Sequence, residues 1–205
     1  PPSLNLAYPF TGRWLTQNSP AYRVPSHGTT RYAASYAMDF VSVDDAGGPH
    51  HQARTLIRPE EATRFPGFGR PILAPVHGLV VAAHDAEPDH DAFRGVPSIR
   101  YALTQGRRTT AGWTALAGNH VMIRSDLGPV LVLCHLRRGS VRVDNGRRVS
   151  VGETVGQCGN SGNSTEPHLH LQAITSAEVQ QADAVRFTFH GRLPHNGDIV
   201  DARQQ

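Results

Sequence analysis

The sequence predicts a mainly β protein, and three observations carry that prediction. Glycine and proline are abundant, with 20 and 15 among 205 residues, and such punctuation favours short strands joined by turns over long helices. The apolar residues fall in short runs bounded by Gly, Pro, Asn and Asp, as strands require. Only Thr175–Asp183 reads as helical, through a Thr175-x-x-Glu178 capping pattern. The anticipated architecture is an antiparallel β-sheet or sandwich-like motif with long loops and at most one or two short helices.

Residues 1–25 are rich in turn formers and show no period, so they read as an irregular N-terminal arm. The run Tyr36–Val43 alternates like a strand, with Met38 and Phe40 on one face and Asp39, Val41 and Val43 on the other. Asp39 thus interrupts an otherwise apolar face. Residues 44–70 are polar and broken by Gly and Pro, and strand character resumes from Ile72 to Ala83. A second polar stretch, 84–118, reads as an insertion loop of a kind that often walls a binding cleft. His120–Arg124 and Val130–His135 form a hairpin about the turn Ser125–Pro129, and Asp144-Asn145-Gly146 marks another turn. Val149–Val151, Thr154–Gln157 and His168–Ile174 are the remaining strands, with a Gly, Ser and Asn loop over Gly159–Pro167. No internal repeat appears, and the length suits one domain over 1–205.

Composition excludes several functions. The longest apolar runs, such as Val130–Cys134, are far too short to span a bilayer. No leader peptide is visible, and because processing removes leaders this does not imply cytoplasmic residence. The formal charge of +3 comes entirely from arginine, without lysine, and only 7% of the chain is aromatic. Basic residues that are few and not interleaved with stacking rings argue against nucleic acid. The cluster Arg137, Arg138, Arg142, Arg147 and Arg148 either meets an anionic polymer or is simply solvated. Cys134 and Cys158 lie outside any C-x-x-C pattern, which argues against a zinc ribbon or a redox motif; they read as buried thiols, with a disulfide left open. Oligomeric state leaves no mark on the sequence.

Twelve histidines are the strongest anomaly, since imidazole is the commonest metal ligand and titrates near neutrality. In Pro167-His168-Leu169-His170-Leu171-Gln172 the strand period of two sets both imidazoles on one face and both leucines on the other. His135 closes an apolar run where an unpartnered imidazole would be costly. His27 follows Pro25-Ser26 in a loop, and the carboxylate of Asp39 on an apolar face calls for a cation. Each has an ordinary alternative: an exposed loop histidine, a satisfied core histidine, an Asp paired with arginine. The other histidines match no ligand position, His120 being a candidate supporting residue because it begins a strand near the motif.

Val24-Pro25-Ser26-His27-Gly28, Tyr36-Ala37-Met38-Asp39-Phe40-Val41, Gly118-Asn119-His120-Val121, Cys134-His135-Leu136 and Gly159-Asn160-Ser161-Gly162-Asn163-Ser164-Thr165-Glu166-Pro167-His168-Leu169-His170 occur in that order. This series resembles the lysostaphin-type (LytM-like) zinc metallopeptidases, over roughly half of the chain and most closely from Gly118 to Gln172. The resemblance implies that His27, Asp39 and His170 hold Zn2+ and that His135 and His168 stand beside it as catalytic groups. One departure is clear: Asp39 follows His27 by twelve residues, where the family's aspartate follows by about four, so the extra segment must loop out.

The implied chemistry is self-consistent. Three protein ligands leave zinc an open position for a water whose pKa it lowers, and two unligated imidazoles supply acid, base and electrostatic help. No H-E-x-x-H glutamate is present to take the proton. The expected activity is a zinc endopeptidase acting outside the cytoplasm on peptidoglycan or another peptide. The competing expectations are a ligand-free binding or regulatory module of the cell wall and a different zinc hydrolase or lyase.

Overall fold

The computed structural model describes residues 4–43, 58–93 and 112–202. Its strands are β1 (Leu4–Leu6), β2 (Arg13–Gln17), β3 (Met38–Ser42), β4 (Pro71–Leu73), β5 (Gly78–His84), β6 (Asn119–Ser125), β7 (Val130–Leu136), β8 (Arg148–Val149), β9 (Thr154–Gln157), β10 (Leu169–Ile174), β11 (Ala184–Val185), β12 (Phe187–Phe189) and β13 (Ile199–Asp201). Nine of them form one sheet in the order β13-β2-β3-β10-β7-β6-β5-β8, with β11 paired off β10. Every pairing in this sheet is antiparallel. The pairs β1–β12, parallel, and β4–β9, antiparallel, lie apart from it. The fold is mainly β, as the composition predicts.

Strand alternation divides the apolar residues between two clusters. Met38 and Phe40 of β3, Leu131, Leu133 and Leu136 of β7, and Leu169, Leu171 and Ala173 of β10 enter the larger core. Val130, Val132 and Cys134 of β7 and Ile174 of β10 enter a smaller cluster. In the larger core Phe10 stacks on Trp14 at 4.6 Å and meets Phe40 edge-on at 5.0 Å. Each such ring or leucine withdrawn from water contributes roughly 1.5–3 kcal/mol, which anchors the sheet whose other face carries the polar residues described below.

Two expectations are corrected. The described residues of 1–25, from Leu4 onward, are not an irregular arm: they contain β1 and β2, and β2 lies inside the large sheet between β3 and β13. Its buried residues, Trp14 and Thr16, alternate with half-buried ones, a pattern too short to stand out among the surrounding turn formers. Thr175–Asp183 is not a helix. The Thr175 hydroxyl accepts from the Asp183 backbone N–H at 2.9 Å, and the Thr175 N–H donates to the Asp183 carbonyl at 3.0 Å. These bonds close a loop between β10 and β11, using the Thr175 side chain that the capping pattern would have needed. Helical structure among the described residues occurs instead as 3-10 segments at Arg31–Tyr36 and Ala62–Arg64 and one α-helix, α1 (Trp113–Ala117).

Of the stretch 84–118, residues 94–111 lie outside the described residues, as do 44–57 with His50 and His51. The described part is tied down by two carboxylates. Asp85 accepts from the backbone of Gly139 at 2.7 Å, and Asp89 accepts from the backbones of Asn160 at 2.7 Å and Arg138 at 2.9 Å. Cys134 and Cys158 are buried and free. Among the described residues, no helix is long and apolar enough to cross a membrane. The arginine cluster is partly consumed by surface ion pairs, Arg147 with Glu153 and Arg148 with Asp126.

Candidate metal centre and groove

Sheet register brings the first two candidate residues together. In the antiparallel pairing of β3 with β10, His170 stands directly opposite Asp39, and residues so opposed share a face. His170 Nδ1 lies 2.9 Å from Asp39 Oδ1. From the loop before β3, His27 places Nε2 at 3.0 Å from the other carboxylate oxygen, Oδ2. One ligand atom from each of His27, Asp39 and His170 falls within 4.8 Å of the others. Ligands about 2 Å from one tetrahedral ion sit roughly 3.5 Å apart, so this cluster could close on a metal ion with little movement. Two imidazole nitrogens and a carboxylate oxygen are also the donor chemistry of a three-ligand zinc site.

Neighbouring groups orient the two imidazoles. The Ser26 hydroxyl donates to the Ala34 carbonyl at 3.2 Å and lies 3.0 Å from His27 Nδ1. It therefore accepts from Nδ1–H, which leaves Nε2 facing Asp39 and available to an ion. Gln172 Oε1 lies 3.1 Å from His170 Nε2, and accepting from that N–H it leaves Nδ1 for a metal. Such partners set tautomer and ring orientation in metal sites generally. Asn18 donates from Nδ2 to Asp39 Oδ2 at 2.7 Å. Ser26, Gln172 and Asn18 are absent from the sequence-based candidates, because short-range pattern carries no signal for contacts made across the fold.

His135 reaches the same face by a backbone irregularity. Alternation would send it to the large core, opposite Cys134. Between Asn119↔Leu136 and Val121↔Leu133, however, β7 carries one residue more than β6, the arrangement of a β-bulge. His135 has φ 62°, a left-handed value that non-glycine residues seldom adopt. Leu136 then fills the core position while Cys134 and His135 both line the groove. His135 Nδ1–H donates to the Ser161 carbonyl at 2.9 Å, and its ring lies 4.7 Å from that of His168. His168 Nδ1–H donates to the Glu166 carbonyl at 2.8 Å, with its Nε2 3.8 Å from Asp39 Oδ1.

The electrostatics follow from burial and these contacts. Burial opposes ionisation of Asp39, yet the charges of His27 and His168 and the bonds from His170 and His27 outweigh it and hold the carboxyl well below its ordinary range. Burial would lower His170, but its bond to the Asp39 charge raises it on balance. His135 is pushed well below the usual histidine value by burial first and by His168 and His170 second. It is therefore neutral at pH 7, with Nε2 unprotonated. Burial raises the Cys134 thiol strongly.

All five candidate residues line one cavity of about 470 Å³, whose walls include Thr29, Arg31, Tyr32, Trp113, Asn163 and Thr165. Asn163 and Thr165, from the Gly, Ser and Asn loop before β10, lie on that wall. His120 does not reach it. Its Nδ1–H donates to the Gly118 carbonyl at 2.7 Å, and its ring packs against His84 and against Trp113, at 5.5 and 4.5 Å.

Residues 89–183 match the sequence model of Peptidase family M23. Over these residues the chain is similar to that family. The M23 match takes in His135, His168 and His170, while His27 and Asp39 precede it. Glycyl-glycine endopeptidase ALE-1 of Staphylococcus capitis is 34% identical over 89 residues, 42% of this chain and 24% of that protein. Peptidoglycan DD-endopeptidase ShyC of Vibrio cholerae is 32% identical over 104 residues, 51% of this chain and 23% of that protein. The chain thus spans about a quarter of the length of these relatives. Among solved structures, the catalytic domain of lysostaphin from Staphylococcus simulans is similar with a TM-score of 0.42 and 18% identity, covering 74% of this chain and 77% of that one.

Proposed function

We propose that this chain is an M23-type, zinc-dependent endopeptidase that hydrolyses peptide cross-links of peptidoglycan, and that it works outside the cytoplasm. The convergence of His27, Asp39 and His170 in a groove shared with two further imidazoles carries this reading. The activities named for the ALE-1 and ShyC relatives support the reaction type and the polymer.

In this reading His27 Nε2, Asp39 and His170 Nδ1 hold the ion. Bound zinc supplies the Lewis acidity that activates a water and polarises the scissile carbonyl. His135 and His168 each commit Nδ1–H to a backbone carbonyl, Ser161 and Glu166. Each therefore presents a basic Nε2 to the groove. Either nitrogen can take the proton of the attacking water and, once protonated, donate to the tetrahedral oxyanion or the departing amine. Ser164 Oγ, 3.0 Å from His168 Nδ1, helps hold that ring. Retention of all five residues speaks against a ligand-free binding module.

The deciding experiment digests purified peptidoglycan with and without a chelator, followed by zinc readdition. Soluble fragments with cleaved cross-links should be released, and that release should be abolished by the chelator and return with zinc. Release that ignores the chelator, or no release by the zinc-loaded protein, would sink the proposal.

A further inference from the structure

The twelve-residue interval between His27 and Asp39 builds one wall of the groove, and that wall carries a cation. Its 3-10 segment Arg31–Tyr36 has two consecutive left-handed residues, Tyr32 and Ala33, each with φ 56°. Such strain in non-glycine residues persists only where surrounding contacts impose it, and here they do so from both sides. Gln172 Nε2, two residues beyond His170, donates to the Tyr32 carbonyl at 2.9 Å. The Ser35 carbonyl accepts from the Ser26 N–H at 3.0 Å, and the Ala34 carbonyl accepts from the Ser26 hydroxyl. Ala33 is buried in the small core beside Cys134. The wall is thus fastened to the neighbours of two residues that hold the proposed ion.

Arg31 sits on this fastened turn. It lines the cavity, is exposed, and sets its guanidinium carbon 5.6 Å from the centroid of the Tyr32 ring. A guanidinium lying over a ring keeps its N–H edge available for a planar bidentate acceptor. No carboxylate pairs with Arg31 among the described residues. Among those lining the cavity, Arg31 is the single arginine and Asp39 the single acid, and Asp39 is already committed to His27, His170 and Asn18. Among the described residues the groove therefore offers an anion partner and no uncommitted carboxylate to use it.

We infer that Arg31 binds a free carboxylate of the substrate close to the scissile bond, so that the domain prefers cross-links whose flanking residue is acidic over neutral ones such as glycine chains. This inference rests on the peptidase reading and deepens it. The test uses a cross-linked stem-peptide dimer with free carboxylates and the same dimer with those carboxylates converted to carboxamides.

The zinc-loaded protein should cleave the acidic dimer with kcat/KM about tenfold or more above the amidated one, mainly through KM, as one charge-assisted contact implies. In Arg31→Gln that ratio should fall towards one, and Arg31→Lys should recover part of it. Calorimetry on zinc-loaded His168→Ala gives a readout independent of turnover, where the acidic dimer should bind about tenfold tighter and lose that advantage when Arg31→Gln is added. Equal cleavage or binding of the two dimers by the protein with Arg31 intact, or a preference unchanged in Arg31→Gln, overturns the inference and leaves the peptidase reading standing. Preferential binding without cleavage of either dimer by the protein retaining His168 overturns the peptidase reading alone.

Discussion

Cys134 and His135 are consecutive residues of one strand, yet both side chains line the same groove. The bulge opposite Asn119 and Val121, with the left-handed φ of His135, supplies the extra half-turn. It brings the His135 ring to 4.7 Å from that of His168. Backbone strain here serves to aim an imidazole, a use that bulges beside active sites commonly have.

His135→Ala and His168→Ala should each lower kcat/KM on peptidoglycan fragments by at least about 10²-fold, the usual worth of a positioned acid or base. Zinc content, measured by elemental analysis, should stay near one per chain in both. Loss of zinc would move these residues from proton transfer to metal binding.

Gln172→Leu removes the acceptor for His170 Nε2–H, and Ser26→Ala removes the acceptor for His27 Nδ1–H. Each should weaken zinc binding by about 10–100-fold in competition with a chromophoric chelator. Circular dichroism should report an unchanged fold, since neither side chain belongs to the large core.

Stability should depend on His120 in acid. Burial, which outweighs the bond to Gly118 and is assisted by His84, lowers its pKa to about 4. The native state therefore keeps the ring neutral while the unfolded state, titrating near the ordinary 6.5, takes up a proton. Stability rises with pH across the window from about 4 to 6.5 and is lost as pH falls through it, by on the order of 3 kcal/mol from this group. His120→Gln retains a donor for the Gly118 carbonyl and should flatten that limb in urea titrations at several pH values.

Gly162→Ala should be strongly destabilising. Gly162 has φ 72°, and a Cβ there would run into the backbone nitrogen of Gly118. The left-handed conformation alone costs about 1–3 kcal/mol in a residue with a side chain, and the backbone clash adds to it. Because Ser161 holds His135, cleavage should fall further than the drop in thermal midpoint explains.

Much of the strand framework is legible in the sequence because it depends on local periodicity. Val130–His135 and His168–Ile174 stand out as apolar runs of strand length, and the period of two in His168-Leu169-His170 separates its imidazoles from the leucine between them. The order of motifs points to the family. The segments that mislead do so for equally local reasons: β2 is five residues long among turn formers, and the capping pattern at Thr175 is taken over by a loop-closing bond to Asp183.

What the chain alone determined was the inventory: short strands, a histidine excess, one carboxylate on an apolar face, and an Asp39 that follows His27 by twelve positions. Only tertiary structure decided that Asp39 faces His170 across a strand pair and that a bulge turns His135 outwards. It alone decided that Gln172 and Ser26 hold both the imidazole tautomers and the Arg31 wall. The reason is range: alternation and turn chemistry act over a few residues, whereas register, bulges and hydrogen bonds between residues as distant as Tyr32 and Gln172 are settled when the sheet packs.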